Sequence, residues 1–380
     1  METRGTPLLK KQWVQTLLAS VICVLIGLAI GYIVLLIINP NGAWKAVTDI
    51  LKNFMTYSSP ALQMKNFGNT LVKTAPLLMC GLSVLFAYKV GLFNIGASGQ
   101  YLAGACAALY AALAFKLPWY ACMLLALAVG AVWGSISGLL KAYLNVNEVI
   151  SGIMLNWISL YTANTLLSNV KDPGSPYTMA VGKVNASAII PSLGLGNLFG
   201  NNKYVTIAIP LAVIISVVIF VVLNNTKSGY VLKATGLNRY AAQYSGMHEK
   251  ANIIIAMGVS GALAGIGASM LYLTGFETWL CTQSSVPDMG FLGIAAAFLG
   301  GMNPLGVVIS SYFIQHIASG GAYVDKAIYS PQISDFICSI VIYQCSFVAL
   351  FKHFLSHRRR SADGREPRAK DDRLVKESAE

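Results

Sequence analysis

Long uncharged apolar runs recur along most of the chain, and their lengths decide the reading. Residues 13–38 carry no charge and follow Arg4, Lys10 and Lys11. A secretory leader has an apolar core of roughly 7–15 residues and a small-residue cleavage site. This run is longer and leads into Asn39-Pro40-Asn41-Gly42, so it predicts a retained first helix. Further spans are expected near residues 67–88, 99–115, 118–140, 149–168, 204–223, 251–273, 289–324 and 333–351. The run 289–324 holds no Asp, Glu, Lys or Arg and exceeds the roughly 17–25 residues that one membrane helix needs. Gly300-Gly301-Met302-Asn303-Pro304 breaks it into a short segment and a second helix. The pattern predicts ten membrane helices.

The polar stretches between the spans predict three extramembrane pieces. In residues 43–55, Trp44, Val47, Ile50, Leu51, Phe54 and Met55 share one helical face, with Lys45, Thr48, Asp49 and Lys52 opposite. That spacing predicts a helix lying in the membrane interface. Residues 171–203 are rich in Pro, Gly, Asn and Ser and read as a loop. Residues 356–380 mix both charges with almost no apolar side chain and read as a disordered tail, leaving 1–355 as the membrane domain.

Composition narrows the class. Of 380 residues 56% are hydrophobic and 11% charged, with mean hydropathy +0.62. A soluble domain carries roughly a quarter charged residues, so most of this chain avoids water. Backbone N–H and C=O groups cannot go unpaired in lipid, which leaves helices or a closed barrel. The runs are too long for barrel strands of roughly 9–11 residues. The fold class is therefore all-α and polytopic.

The net charge of +12 raises the question of nucleic acid, but its distribution argues for topology instead. An even helix count puts both termini on one side. If that side is cytoplasmic, the inner segments hold 18 of the 27 Lys and Arg, among them Lys89, Lys141, Lys227, Lys233, Arg239 and Lys250. A basic excess marks the cytoplasmic side. The seven cysteines fall mostly inside apolar runs, without a C-x-x-C pair, and read as packing residues. No metal site or other cofactor is expected.

Three motifs carry candidate mechanism. The first is Gly91-Leu92-Phe93-Asn94-Ile95-Gly96-Ala97-Ser98-Gly99-Gln100, whose glycines and polar side chains lie in a long uncharged run. Non-helical backbone at that depth is tolerated where protein or a water-lined cavity satisfies it. Together with the break at Gly300–Gly306 it points to a translocation path lined by Asn94, Ser98, Gln100 and Asn156. Close helix packing through small residues is the competing account. Asn156 itself either bonds a neighbouring helix or meets solute. The second motif is the cytoplasmic stretch 228–247, where Asn238 can cap a two-turn helix over 239–245. Leu237 would staple toward Ala242, and Gly246 would stop it. Such a helix rests on the bilayer or docks on a partner. The third is Asn147-Glu148-Val149-Ile150, which places Asn147 and Glu148 at the cytoplasmic mouth of the fifth helix as a gate.

Absences matter as well. No G-x-x-x-x-G-K-[ST] loop occurs, so no ATPase site of the chain's own is expected. No carboxylate or lysine sits at the middle of a span, where ion-coupled transporters typically keep one. His316 is the single candidate, and a packed, hydrogen-bonded histidine is the more economical account of it. An ion-coupled secondary transporter is accordingly the weaker alternative.

Read together, these residues resemble the permease subunits of bacterial ABC importers that serve simple sugars, nucleosides and branched-chain amino acids. The resemblance runs from about residue 67 to 351. Gly91 to Gln100 is similar to the family's F-N-I-G-x-x-G-Q pattern. Asn147-Glu148-Val149-Ile150 with Met154-Leu155-Asn156-Trp157-Ile158 resembles its N-E-V-I…M-L-N-W-I stretch, typical of nucleoside and simple-sugar members. Gly236, Asn238, Ala241, Ala242 and Gly246 match G-x-N-x-x-A-A-x-x-x-G, which implies a helix that couples to an ATPase. Gly290-Phe291-Leu292-Gly293-Ile294-Ala295, Leu299-Gly300 and Pro304-Leu305-Gly306 resemble G-F-x-G-I-A…L-G…P-x-G, with Leu292 where the family often has Asp. The resemblance implies a permease in a bacterial plasma membrane, moving a nucleoside, with a sugar or branched-chain amino acid as alternatives. It also implies a second permease chain (homo- or heterodimer), two cytoplasmic ATP-binding subunits and an extracellular solute-binding lipoprotein. Membrane lipid surrounds it, and nucleic acid has no part.

Overall fold

The computed structural model describes residues 12–325, 327–329, 336–337, 339–340, 343–344, 347 and 350–351. Among these the regular structure is helical. The helices are α1 (Gln12–Ile38), α2 (Ala43–Lys52), α3 (Pro60–Tyr88), α4 (Ala97–Leu113), α5 (Trp119–Leu144), α6 (Glu148–Leu167) and the one-turn α7 (Val181–Val184) and α8 (Leu195–Leu198). They continue with α9 (Ala208–Asn225), α10 (Lys227–Leu237), α11 (Arg239–Tyr244), α12 (Glu249–Tyr272), α13 (Met289–Leu299) and α14 (Pro304–Gly320). Extended pairing among the described residues is confined to two isolated bridges, Lys171 with Thr178 and Tyr177 with Leu280.

Five helices, α1, α3, α5, α9 and α12, are long and apolar enough to cross a membrane. Where their apolar side chains go separates centre from rim. In α3 and α12 most positions are buried, so these helices and α4 form the packed middle. Helices α1, α5 and α9 instead turn Leu25, Ile33, Leu124, Val132, Ile214 and Val218 outward. Apolar belts of that extent are unfavourable against water and neutral against lipid tails. The chain is a multi-pass all-α membrane protein.

Lipid offers no hydrophobic force between helices, so close packing has to hold the centre. A glycine seam does this. Gly130 and Gly134 of α5 lie against Gly261 of α12, and Gly104 of α4 lies against Gly265. A Cβ on Gly130 would sit 3.1 Å from the Gly265 Cα, and one on Gly134 would sit 3.0 Å from the Gly261 Cα. Here backbone meets backbone.

Several expectations change in detail. Helix α3 begins at Pro60, extending the apolar run by two turns with proline in the first turn, where its missing N–H costs nothing. The run 289–324 divides where expected, into α13 and α14. The amphipathic helix forms as α2, but its buried face is Ala43, Ala46, Asp49 and Ile50, so Asp49, expected on the polar side, is buried instead. The reason is α14, whose Gly320 packs against the Ile50 backbone. Trp44, Leu51 and Met55 stay exposed. The polar stretch after α9 contains a further helix beside the expected one, α10, capped where the Thr226 Oγ accepts the Gly229 N–H at 3.1 Å. The loop 171–203 forms short turns as expected. Most of the tenth span, 333–351, and the tail 356–380 lie outside the described residues, as do Cys338 and Cys345.

The seam generates a test. Replacing Gly130 or Gly261 with Leu should destabilise the detergent-purified chain by about 3 kcal/mol or more, because backbone cannot yield as a rotamer does. Val132→Leu, on the outward face of α5, should leave the thermal midpoint unchanged.

Candidate functional site

After α3 the chain turns at Gly91, where φ is +75° and a side chain would be strained. It then runs without helix to Gly96 and restarts as α4. The backbone groups left open there are met by side chains. The Asn156 Oδ1 on α6 accepts the Gly99 N–H at 2.8 Å, and the Asn156 Nδ2 donates to the Ile95 carbonyl at 3.1 Å. One amide thus closes a free donor and a free acceptor of the same break. The fit requires glycine: a Cβ on Gly99 would lie 2.6 Å from that Oδ1, and one on Gly152 would lie 2.9 Å from the Gly96 nitrogen.

Asn94 anchors a second set of bonds. Its Nδ2 donates to the Ser260 Oγ at 2.6 Å and the Gln100 Oε1 at 2.7 Å, while the Gln100 Nε2 returns a bond to the Asn94 Oδ1 at 3.2 Å. The Ser260 Oγ also donates to the Ser83 carbonyl at 2.7 Å. Helices α3, α4 and α12 are therefore joined by buried polar bonds around one asparagine. Ser98 lies at the first turn of α4 with Gly290 of α13 pressed against it, and the Ser98 Oγ has no hydrogen-bond partner among the described residues. All four expected path residues, Asn94, Ser98, Gln100 and Asn156, are buried and brought together. In this conformation their bonds run mostly to protein. Ser83 and Ser260 complete the cluster and went unrecognised, since a lone serine in an apolar run carries no distinctive signal.

The second break is a tight hairpin. Gly301 and Met302 both take positive φ, +65° and +54°, and the Asn303 Oδ1 accepts the Leu305 N–H at 3.0 Å to start α14 at Pro304. Gly300 faces Gly306 across it so closely that a Cβ on Gly300 would lie 2.6 Å from the Val307 nitrogen. At about 1.5 Å per residue, the 11-residue α13 covers roughly half a bilayer.

Asn147 caps α6, its Oδ1 accepting the Val149 N–H at 2.8 Å, and Glu148 pairs with Lys141 at 2.9 Å. The expected gate pair thus sits where α5 turns into α6 through the left-handed Asn145. Asn238 caps α11 as expected, its Oδ1 accepting the Ala241 N–H at 3.0 Å, and Gly246 follows at φ +78°. Ala242 is buried, while Ala241 faces out. The hydrophobic staple does not form. Leu237 is 89% exposed, alongside Tyr240 at 73% and Tyr244 at 93%, because none of the described residues lies above α11. Gly236 touches the first break directly. A Cβ there would lie 2.5 Å from the Lys89 carbonyl oxygen and 2.9 Å from the Gly91 nitrogen. Beside this contact, burial and the neighbouring Lys233 hold the Lys89 ammonium below the usual lysine range.

His316 is a structural residue. Its Nε2 lies 2.9 Å from the Leu51 carbonyl and donates to it, which leaves Nδ1 to accept from the Asn53 Nδ2 at 3.3 Å. It fastens the end of α2 to α14. No group of metal-ligating side chains occurs among the described residues.

Comparison with known proteins gives a consistent result. Residues 66–345 match the family described as "Branched-chain amino acid transport system / permease component". The chain is 32% identical to the guanosine ABC transporter permease protein NupP of Bacillus subtilis, over 88% of this chain and 94% of that one. It is 31% identical to the nucleoside ABC transporter permease protein NupB of Lactococcus lactis, over 86% and 89%. It is 27% identical to the glucose ABC transporter permease protein TsgB13 of Haloferax volcanii, over 88% of both. No solved structure matches significantly.

The double role of Asn156 predicts its loss. Asn156→Leu should free the Gly99 N–H and the Ile95 carbonyl and cost about 1–3 kcal/mol for each group left unpaired. Hydrogen exchange read by mass spectrometry should rise in peptides spanning 93–101 and stay unchanged across the α5–α12 seam.

Proposed function

We propose, from the premise that this chain belongs to the permease family of branched-chain amino acid transport systems, that it forms the membrane path of an ABC importer for nucleosides. The solute follows from the guanosine and nucleoside permeases, which are the relatives more than 30% identical over most of both chains. A simple sugar is the second reading, favoured by the glucose permease at 27%. A small polar solute passes unaltered, so the chain performs transport and no bond-making chemistry. Energy comes from separate subunits.

The observation that carries this reading is the exposed surface of α10 and α11. Leu237, Tyr240 and Tyr244 stand out of the protein on a short, capped, inward helix. Exposed aromatic and aliphatic anchors of this kind need a partner. We assign that partner as the cytoplasmic ATP-binding subunit, with α11, Gly236, Asn238, Ala241, Ala242 and Gly246 as the coupling element. A displacement of α11 passes through the Gly236–Gly91 contact into the first break. There it works on Asn94, Ser98, Gln100 and Asn156, which we place on the translocation path, while Asn147 and Glu148 border its cytoplasmic mouth. A full importer then comprises a second permease chain, two ATP-binding subunits and an extracellular solute-binding lipoprotein in the bacterial plasma membrane. Ten spans with both termini cytoplasmic complete the proposal, α1, α3–α6, α9 and α12–α14 supplying nine.

Two experiments test the assignment. Liposomes holding the purified chain alone should accumulate no nucleoside under any ion gradient, whereas the complex with ATP should; accumulation by the lone chain overturns the reading. Separately, the Tyr240→Asp/Tyr244→Asp double variant should fold normally, since both side chains are solvent-facing. It should nevertheless lose co-purification with the ATP-binding subunits and at least about tenfold of solute-stimulated ATP hydrolysis.

A further inference from the structure

A lever needs a fixed point, and the chain offers one at the start of α12. Glu249, the first residue of that helix, is buried although its chain neighbours His248 and Lys250 are exposed. The Arg239 Nη2, at the start of α11, donates to the Glu249 Oε1 at 3.4 Å. The Glu249 Oε2 has no hydrogen-bond partner among the described residues. A buried carboxylate is strongly unfavourable without a compensating cation. Arg239 supplies that cation, and the pair holds α11 against α12. Three residues further along the same face of α12, the Asn252 Nδ2 donates to the Thr235 Oγ1 of α10 at 2.9 Å. The first turn of α12 thus carries two polar attachments, one to α10 and one to α11.

That turn is itself held. The close packing of α5 on α12 reaches almost to it: a Cβ on Gly138 would sit 3.0 Å from the Ile254 Cα. The Lys250 Nζ lies 5.0 Å from the centre of the Tyr143 ring of α5. Ser260 follows Glu249 by about three turns and returns to the same face of α12. There it accepts from Asn94 and donates to the Ser83 carbonyl, beside the first break. One helix, fixed by backbone contacts, therefore joins the attachments to the break.

We infer that Glu249 is a positioning residue for coupling, the fulcrum on which α11 turns when the ATP-binding subunit displaces it. The inference rests on the importer reading above and adds to it the point that resists the push. Arg239 and Glu249 close residues 239–249 into a loop that passes through Gly246, where φ is +78°. With the loop closed, a push on Tyr240 or Tyr244 tilts α11 and presses Gly236 on the Lys89–Gly91 backbone. With it open, the same push is absorbed at Gly246 and the break is not driven. The pair serves transmission, whereas Leu237, Tyr240 and Tyr244 serve docking.

The test uses the intact importer in proteoliposomes with ATP and radiolabelled guanosine or glucose, and measures solute taken up per ATP hydrolysed. Arg239→Met leaves the Glu249 carboxylate buried and unpaired, and should lower the thermal midpoint of the complex. Arg239→Met/Glu249→Met removes both charges and keeps two long, adaptable side chains, so its midpoint should return to near that of the wild type. In this stability-matched variant uptake per ATP should still fall at least about fivefold, a coupling within the range that contacting residues carry. Its ATP-binding subunits should co-purify stoichiometrically. Arg239→Lys keeps a cation beside Glu249 and should hold the ratio above that of the double variant. A double variant with the wild-type ratio, one that loses the ATP-binding subunits, or an Arg239→Lys ratio no better than the double variant's overturns the inference while the importer reading stands. A wild-type complex that accumulates neither solute with ATP overturns both.

Discussion

Hydrocarbon supplies no hydrogen bonds, and everything in this structure answers to that. A backbone N–H or C=O left open at membrane depth has only protein to turn to. The chain nevertheless interrupts its helices twice, after α3 and between α13 and α14. Each interruption is closed by an asparagine. Asn156 serves the first from a neighbouring helix, and Asn303 serves the second from within its own turn. The difference has physical consequences. A locally capped break is rigid, whereas one closed by another helix opens whenever that helix moves. With each unpaired group costing about 1–3 kcal/mol against a net stability of roughly 5–15 kcal/mol, such an opening is affordable once energy is delivered to it.

That delivery has a short route. The proposed coupling element begins at the end of α10, where Gly236 rests on the backbone of Lys89 to Gly91 without a side chain between them. Force applied to α11 in the proposed complex thus reaches non-helical backbone within a few residues. Lys89 and Lys233 flank the contact, where burial and the neighbouring lysine hold the Lys89 ammonium below the usual lysine range. A buried cluster joins the far side of the break to α3 and α12 through Asn94, Gln100, Ser83 and Ser260. The same residues that satisfy the break also decide which helices travel with it.

Much of this was legible in the chain. Runs without charge mark the apolar helices and their rough limits because hydrocarbon excludes charge, and Gly300 to Pro304 announces its own hairpin. Asn238 and Asn147 announce caps, since an asparagine ahead of a helical period has few other uses. Long-range partners were not legible. Nothing in residues 91–100 names Asn156 as the group that bonds Gly99, and nothing distinguishes Ser83 and Ser260 from other buried serines. Helix α2 shows the same limit: periodicity gives its apolar face, but Gly320, far along the chain, determines which part is covered. Leu237 failed as a staple because no element among the described residues covers it, and a local pattern cannot register a vacant neighbour.

The glycine seam sets how the machine divides into fixed and moving parts. Along Gly104, Gly130, Gly134, Gly261 and Gly265 main chain lies on main chain, so α4, α5 and α12 have no side-chain slack through which to slide. They make a stator. Helix α6 is held at both ends: near its start Gly152 packs on Gly96, and near its C-terminal end Asn164 bonds Trp279 and Gln283 of the segment that leads into α13. A movement of α6 against α5 would carry that segment with it.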